Sequence, residues 1–255
     1  MPTLRLERSG SLTVLRLDKA RGNAIDPALV EDLQAAAGEL AQDDSVRGVL
    51  LASAHPKLFC PGLDLVGLLE LDRPAMANFM GHFAQAVWAL YALRKPVVAA
   101  VNGAAVAGGC ILALTADERL LRRGSSIGLN EVKVGVPLPW SVAVLVRTSV
   151  PPTALAQVAL LGNNFQDEEA VAVGLAHAVL EADGFEQACL QRLTEYVERD
   201  GLALGTTKAY LRAAALQEMK SREASALAGF LDGWFSDSTR ERMRRTAAAL
   251  SKRPG

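Results

Sequence analysis

The sequence predicts an α/β fold followed by a helical C-terminal region. Short apolar strands alternate with loops and helices as far as about residue 181, and the pattern from Phe185 to about Ala249 is almost wholly helical. Half of the 255 residues are hydrophobic and 22% are charged, which is the composition of a helix-rich α/β protein and not of a disordered chain. We therefore expect two regions, an α/β core in residues 1–184 and a helical region in residues 185–255.

Hydrophobic periodicity predicts a hairpin and a helix at the start of the chain. Residues 3–7 and 12–17 alternate polar and apolar side chains around a glycine turn, which is the pattern of a β-hairpin. Asp26 can cap a helix whose first turn contains Pro27, and apolar residues then recur at helical spacing to about Gln42. The chain is thus predicted to begin with two strands and a helix.

Short apolar runs mark the strands that follow. Residues 46–52 and 97–101 are such runs, and a long helical segment over residues 75–93 separates them. Residues 177–180 give the last strand-like run before the helical tail. Each predicted strand is followed by a loop and then a helix, and we see no linker that would divide the chain into separate domains.

Charge and cysteine content exclude several classes of protein. The 27 Lys and Arg residues are balanced by 28 Asp and Glu residues, so no basic field attracts nucleic acid or an anionic membrane. Cys60, Cys110 and Cys189 are odd in number and lack metal-site spacing, which favours reduced thiols. The longest apolar stretch is too short to span a bilayer, and no signal-peptide pattern opens the chain. We expect a cytoplasmic protein without nucleic-acid or membrane partners.

Two glycine-bearing loops each follow a predicted strand and precede a predicted helix. They are FCPGLDL, residues 59–65, and NGAAVAGGC, residues 102–110. Glycine allows close approach to the backbone, and a helix N-terminus leaves N–H groups unpaired. Two such groups that converge on one oxygen would form an oxyanion hole for acyl chemistry. Either loop alone could equally be an ordinary turn, and neither has the spacing of a dinucleotide or phosphate-binding loop.

Glu131 lies in the largely apolar segment IGLNEVKVG, residues 127–135. Desolvation in such a segment raises the pKa of a carboxyl group, as a general base working near neutral pH requires. Taken alone, the residue would be interpreted as an exposed glutamate at the end of a strand, because most glutamates are exposed. The segment gains a functional interpretation only together with the two loops.

Together these features resemble the crotonase, or enoyl-CoA hydratase/isomerase, superfamily. FCPGLDL resembles its F-x-A-G-x-D-L loop, VNGAAVAGGCILAL its V-N-G-x-x-x-G-G-G-x-E-L-A segment, and KARGNAIDPAL its early R-N-A-hydrophobic segment. Order and spacing agree over roughly residues 3–180. The resemblance implies an α/β, crotonase-like spiral of ββα repeats in residues 1–184, followed by a C-terminal helical trimerisation region in residues 185–255.

The resemblance also implies how the site is built. The backbone N–H groups of Leu63 and Gly108 would hold the thioester oxygen of an acyl-CoA, and Glu131 would be the catalytic carboxylate. Residues 19–24 would face the adenine end of the coenzyme. The implied substrate-binding residues are Pro61, Gly62, Leu63, Asp64, Leu65, Gly108 and Asn130, with Ala24 on the coenzyme side. Asp64 can also cap the helix after the first loop.

Ile111 stands where the hydratases of this family carry a second glutamate. Addition of water is normally served by two carboxylates, whereas moving a double bond needs one base that takes and returns a proton. The sequence therefore favours a Δ3-Δ2-enoyl-CoA isomerase of fatty-acid oxidation, in which Glu131 moves a proton from C2 to C4. The AGGC and IGLNE segments and the Pro139-Trp140 pair resemble the mitochondrial-type isomerases. The resemblance implies no cofactor, since coenzyme A enters as part of the substrate.

Two alternatives stay open on the sequence alone. One is a different crotonase-type reaction of an acyl-CoA, such as hydration, in which an unrecognised group replaces Ile111. The other is a non-catalytic acyl-CoA binding protein. Glu131 counts against the second alternative, because a pure binder gains little from a carboxylate in an apolar pocket.

The helical tail predicts self-association. Breaks are expected at Gly201, at Gly205 and at residues 236–238, and the apolar side chains near the end form a wide stripe. Such a stripe calls for a covering partner, and in the family this region packs on neighbouring subunits. We therefore expect a homotrimer or a dimer of trimers. The stripe consists of Leu227, Phe230, Leu231, Trp234 and Phe235.

Overall fold

Strand–strand–helix units precede three C-terminal helices in residues 3–20 and 22–251, the part of the chain that the computed structural model describes. The strands are β1 (Leu4–Ser9), β2 (Leu12–Leu17), β3 (Gly48–Ser53), β4 (Leu58–Cys60), β5 (Val97–Val101), β6 (Ala104–Val106), β7 (Glu118–Arg122), β8 (Ser126–Gly128), β9 (Asn164–Gln166) and β10 (Ala178–Leu180). The α-helices are α1 (Pro27–Gln42), α2 (Leu65–Leu68), α3 (Arg73–Tyr91), α4 (Gly108–Leu114), α5 (Glu131–Val134), α6 (Trp140–Ser149), α7 (Asp167–Ala172), α8 (Phe185–Val197), α9 (Gly201–Trp234) and α10 (Asp237–Ser251).

Three successive units each contribute one strand to each of two sheets. β3, β5 and β7 are parallel neighbours in a 6-stranded sheet of order β1-β2-β3-β5-β7-β10. The strands that follow them along the chain, β4, β6 and β8, are parallel neighbours in a 4-stranded sheet of order β4-β6-β8-β9. Each unit therefore advances both sheets by one strand, which confirms the predicted spiral of ββα repeats.

The central strands β3 and β5 of the larger sheet are buried on both faces because they are apolar at successive positions. Val49 and Leu51 of β3 face the main core, whereas Leu50 and Ala52 face a second cluster that α8 covers. Strands buried on both sides appear in the sequence as continuous apolar runs, which is the pattern that predicted them. The main core thus lies between the sheets and the helices α1, α3 and α4.

The N-terminal predictions are confirmed. β1 and β2 form the antiparallel hairpin, and β2 then pairs parallel with β3. Asp26 caps α1, because its Oδ1 accepts a hydrogen bond from the Leu29 N–H at 3.0 Å. The helix ends at Gln42, as the spacing of apolar residues predicts.

The prediction of a helix break at Gly205 was wrong. α9 begins at Gly201 and continues through Gly205, where a Cβ atom would lie 3.0 Å from the Arg94 carbonyl oxygen. Glycine serves close packing there and does not end the helix. Although α9 extends over 34 residues, neither it nor any other helix in the described ranges is apolar enough to cross a membrane.

The apolar stripe of the tail is covered by its own chain. Phe230, Leu231 and Trp234 are 4%, 6% and 0% exposed, and Leu227 and Phe235 pack partly buried beside them. α9 lies across α3 and α6 of the same chain, so the argument that this stripe requires a second subunit was wrong. Self-association remains a prediction, and it would have to use a surface other than this stripe.

Candidate active site

The predicted site loops leave three adjacent parallel strands at one edge of the smaller sheet. Residues 61–64, 107–108 and 129–131 follow the carboxyl ends of β4, β6 and β8, respectively. Open α/β sheets bind ligands beyond the carboxyl ends of their parallel strands. The fold thereby places residues distant in the sequence at one edge.

The first two loops touch at Gly62 and Gly108. A Cβ atom on Gly62 would lie 3.1 Å from the Gly108 nitrogen and 2.9 Å from the Ala107 Cβ. Ala107 has a φ of +49°, which costs a non-glycine residue about 1–3 kcal/mol. Backbone strain of this kind concentrates at functional loops, where the surrounding structure maintains it.

Leu63 and Gly108 carry unpaired N–H groups on these touching loops. Within residues 3–20 and 22–251 neither group donates a hydrogen bond, whereas the Asp64 N–H donates to the Ile25 carbonyl at 2.8 Å and the Ala107 N–H to the Gly128 carbonyl at 2.9 Å. Two free donors on adjoining loops match the chemistry of an oxyanion hole. These are the two donors that the family resemblance implies.

Ile25 supports both loops, and sequence reasoning did not single it out. Its N–H donates to the Gly62 carbonyl at 2.8 Å, and its carbonyl accepts the Asp64 N–H at 2.8 Å. A Cβ atom on Gly108 would lie 2.7 Å from the Ile25 Cδ1. Only the position of Ile25 at the end of the KARGNAI segment could have indicated this role.

Glu131, the first residue of α5, is 9% exposed. Burial raises the pKa of its carboxyl group to about 7, against a smaller lowering by its own backbone N–H. Its Oε2 is buried and has no hydrogen-bond partner in the described part of the chain. A carboxyl group with a pKa near 7 can both accept and return a proton near neutral pH.

Neither Ile111 nor Cys110 supplies a second proton-transferring group. Ile111 in α4 is 3% exposed and belongs to the main apolar core. Burial, and then the charge of Glu131, raise the pKa of the neighbouring Cys110 thiol, which therefore stays protonated. Among the described residues, no charged side chain shifts the pKa of Glu131. Among the described residues predicted for the site, Glu131 is therefore the candidate proton carrier.

The other predicted residues of the first loop and of the Glu131 segment are partly exposed. Asp64 caps α2, where its Oδ1 accepts the Gly67 N–H at 3.4 Å, which confirms the capping prediction. Pro61, Leu65 and Asn130 are half-buried. Their apolar and amide groups remain available to a ligand, whereas the Asp64 carboxylate is engaged by the helix start.

The predicted coenzyme-side segment is tied to the first loop. The Lys19 Nζ donates to the Ala24 carbonyl at 2.9 Å, and the Asn23 Nδ2 donates to the Phe59 carbonyl at 3.0 Å. Ala24 directly precedes Ile25, so it lies beside both site loops. Arg21, within the same predicted segment, lies outside the described residues.

α10 packs against α2 and α5, the helices that follow the first loop and begin at Glu131. Between α2 and α10 lies a cavity of about 420 Å³, large enough for part of a ligand. Neither this cavity nor a groove of about 620 Å³ beside α8 is lined by a predicted site residue, so the site is assigned to the edge of the smaller sheet from the placement of its loops. The cavity is lined by Val66, Leu69, Glu70, Arg240, Arg244, Ala247 and Ala248.

Comparison with known proteins agrees with this geometry. Residues 7–245 match the family model Enoyl-CoA hydratase/isomerase. The Homo sapiens protein "Enoyl-CoA delta isomerase 1, mitochondrial" is 26% identical over 254 residues, which are 98% of this chain and 83% of that protein. The "Carnitinyl-CoA dehydratase" of Proteus mirabilis (strain HI4320) is 30% identical over 212 residues, which are 83% of this chain and 80% of that protein.

The fold gives the same result. The crystal structure of human mitochondrial Δ3-Δ2-enoyl-CoA isomerase has a TM-score of 0.94 and 25% identity, and the match covers 99% of this chain and 100% of that one. The family match includes both glycine loops and Glu131. The chain is therefore an enzyme of the enoyl-CoA hydratase/isomerase family, within the crotonase superfamily.

Proposed function

We propose that this enzyme is a Δ3-Δ2-enoyl-CoA isomerase of fatty-acid oxidation, with Glu131 as its proton carrier. The observation that carries the proposal is the isolation of Glu131, whose pKa burial raises to about 7 and on which no other charged side chain acts within the described residues. Moving a double bond needs only one such group. The similarity to the human isomerase in sequence and fold supports this choice.

In the proposed reaction the Glu131 carboxylate takes a proton from C2 of a 3-enoyl-CoA. The electrons of the C2–H bond delocalise onto the thioester oxygen, and the resulting dienolate accepts hydrogen bonds from the N–H groups of Leu63 and Gly108. The protonated Glu131 then returns the proton to C4, which leaves a trans-2-enoyl-CoA. A donor of this kind typically lowers the barrier by about 3 kcal/mol.

Substrate binding follows from the same placement. We propose that Pro61, Gly62, Leu65 and Asn130 line the thioester path, and that Ala24 faces the coenzyme. Their support is their position on the loops that carry the free N–H groups and Glu131. A proton shuttle needs no metal or redox group, so we expect activity to survive chelation with EDTA.

A homotrimer or dimer of trimers in the cytoplasm completes the proposal. Cys60, Cys110 and Cys189 are free and buried, which suits a reducing compartment. Apolar side chains that α9 leaves exposed support self-association.

Hydration or dehydration of an acyl-CoA is the second candidate, favoured by the 30% identity with the dehydratase. That chemistry would need a second group to orient water. Ile111, at the position of the second glutamate of the hydratases, cannot serve, because its side chain carries no proton donor or acceptor.

One assay separates the candidates. The wild-type enzyme is given a 3-enoyl-CoA and a 2-enoyl-CoA in parallel, and the products are followed by absorbance of the conjugated thioester and by mass. We expect the 3-enoyl substrate to become a 2-enoyl product of unchanged mass, and the 2-enoyl substrate to gain no water. Rapid gain of water would replace the isomerase proposal with the second candidate.

A further inference from the structure

We propose that Thr239, in α10, is a positioning residue for Glu131; the proposal rests on the proposed function, in which Glu131 is the base. Thr239 is 3% exposed, and its hydroxyl donates to the Gly135 carbonyl at 2.9 Å. Gly135 ends α5, the helix that Glu131 begins. Thr239 therefore acts on the base through the backbone and touches no reacting atom.

The turn at Gly135 is bonded directly to the backbone of the base. The Gly135 N–H donates to the Val132 carbonyl at 3.1 Å, and the Val136 N–H, in the same peptide group as the Gly135 carbonyl, donates to the Glu131 carbonyl at 3.0 Å. This is the Schellman arrangement, which ends a helix with a residue in the left-handed conformation, and Gly135 has a φ of +85°. Two successive hydrogen bonds thus join the Thr239 hydroxyl to the backbone that carries the base.

The contact leaves little room for independent movement. A Cβ atom on Gly135 would lie 2.7 Å from the Thr239 Oγ1 and 3.2 Å from the Arg242 Nη1. α5 has 4 residues, and a helix of one turn is not stable without external contacts. The contacts that α5 makes with other elements therefore set the position of the Glu131 carboxyl group. α10 makes such contacts at the C-terminal end of α5.

Two further contacts with α9 hold the connection from α5 to α6 and the first turn of α6. A Cβ atom on Gly233 would lie 2.5 Å from the Pro137 Cδ. The Ser141 N–H donates to the buried Glu223 carboxylate at 2.8 Å. Both contacts lie further along the chain from Glu131 than the Thr239 bond does. The C-terminal helices thus clamp the segment after the base, and Thr239 is the contact closest to it in sequence.

Replacing Thr239 with Val tests this role, since Val keeps the shape and removes the hydroxyl. We expect kcat on a 3-enoyl-CoA to fall roughly tenfold, because small displacements of a catalytic group cost up to about 10²-fold. KM should change less than about twofold, because substrate contacts are kept. The acid limb of the kcat/KM profile should move to lower pH, because a loosened α5 admits water and lets the pKa of Glu131 fall.

Two further variants make the test specific to the hydroxyl. Thr239→Ser keeps the donor and should restore both kcat and the pH profile. Thr246→Val is the matched control on the same helix, since the Thr246 hydroxyl donates to the Arg242 carbonyl of its own helix at 3.0 Å. We expect wild-type values for this variant. Thermal unfolding is recorded for each variant, and Thr239→Ala replaces Thr239→Val if the latter does not fold.

An unchanged kcat and pH profile in Thr239→Val would overturn the proposal. An equal loss of kcat in Thr246→Val would also overturn it, because the effect would then belong to α10 as a whole. The same holds if no Thr239 variant other than Thr239→Ser folds. Glu131→Gln is assayed in parallel to keep the two proposals apart. If Glu131→Gln retains full activity, the proposed function fails; if it is inactive while Thr239→Val is not affected, only the positioning role fails.

Discussion

At the scale of single residues, the unusual group is the buried carboxyl of Glu131, whose Oε2 has no hydrogen-bond partner in the described part of the chain. Burial raises the pKa of Glu131 to about 7, well above that of a carboxyl group in the unfolded chain. The folded state therefore holds this proton more tightly. The stabilisation that this raised pKa provides is fully present below the pKa that Glu131 has in the unfolded chain. It is lost as pH rises through about 7. The protein is thus less stable where Glu131 is ionised.

Replacement of this carboxyl group tests its role directly. Glu131→Gln keeps the shape and removes the proton carrier, so we expect kcat to fall by at least about 10²-fold, with folding and acyl-CoA binding nearly intact. Steady-state kinetics and a binding titration measure the two effects. Glu168→Gln is the control, since that side chain is 73% exposed. Activity of Glu131→Gln within about tenfold of wild type would remove Glu131 from the mechanism.

The raised pKa also predicts the pH dependence. Because the base must be ionised, kcat/KM should be level above about pH 7 and fall about tenfold per pH unit below it. Initial rates between about pH 5 and pH 9 check this. Denaturant unfolding gives a second reading, because the stability of Glu131→Gln relative to wild type should increase from acid pH to above pH 7. A rate profile that stays flat to pH 5 would contradict the assignment.

Ile111 provides the complementary experiment. If the absent second carboxylate is what limits addition of water, Ile111→Glu should introduce hydration of a 2-enoyl-CoA. Ile111→Gln is the matched control, since it has similar shape and cannot transfer a proton. Because Ile111 is 3% exposed, both variants should be less stable than wild type, and thermal unfolding must accompany the assay. Rapid hydration by the wild type would overturn the argument.

Residue-level prediction succeeded where the sequence itself holds the signal. The cap of Asp64 follows from its position before a helix. The burial of Glu131 is compatible with its apolar segment, but only the segment together with the two loops indicated it. Sequence analysis did not identify Ile25 or Thr239, because each acts through hydrogen bonds with backbone groups that are distant in the sequence. No local pattern indicates such a contact.

At the scale of elements, the site depends on close contact between the first two loops. A Cβ atom on Gly109 would lie 1.9 Å from the Cys60 carbonyl oxygen, which is backbone and cannot move aside cheaply. We expect Gly109→Ala to lose activity and to destabilise the fold by roughly 1–3 kcal/mol or more. Denaturant unfolding and kinetics measure both effects.

Gly81→Ala is the matched control for that variant. Gly81 lies within α3 and nothing stands within 4 Å of a Cβ atom there, so alanine should stabilise the helix by up to about 1 kcal/mol. Wild-type stability and activity in Gly109→Ala would show that the loops do not need this contact.

Element prediction worked for β3, β5 and β10 but missed the strands of the smaller sheet. β3 and β5 appear as apolar runs, whereas β4, β6 and β8 have 3 residues each, too few for any period to show. Only the resemblance to a family implied the second sheet. That sheet carries the site, so the local pattern alone could not bring the loops and Glu131 together.

At the scale of the whole molecule, an apolar stripe in a sequence does not show what covers it. The stripe around Phe230 and Trp234 was assigned to a second subunit, but it packs on helices of its own chain. An apolar stripe has the same sequence pattern whether its own chain or a partner subunit covers it. The hydrophobic effect depends on the apolar area removed from water and not on which chain removes it. Only tertiary contacts distinguish the two cases.

Self-association is better argued from the apolar side chains that α9 leaves in water. Leu202, Tyr210 and Leu211 are 76%, 77% and 80% exposed, and burial stabilises a large apolar side chain by about 1.5–3 kcal/mol. We expect light scattering to show a trimer or dimer of trimers. The double variant Leu202→Lys/Leu211→Lys should shift the oligomer towards monomer and leave the circular dichroism spectrum unchanged. Val171→Lys on α7 should leave the oligomer intact. A stable, fully active wild-type monomer at micromolar concentration would contradict the prediction.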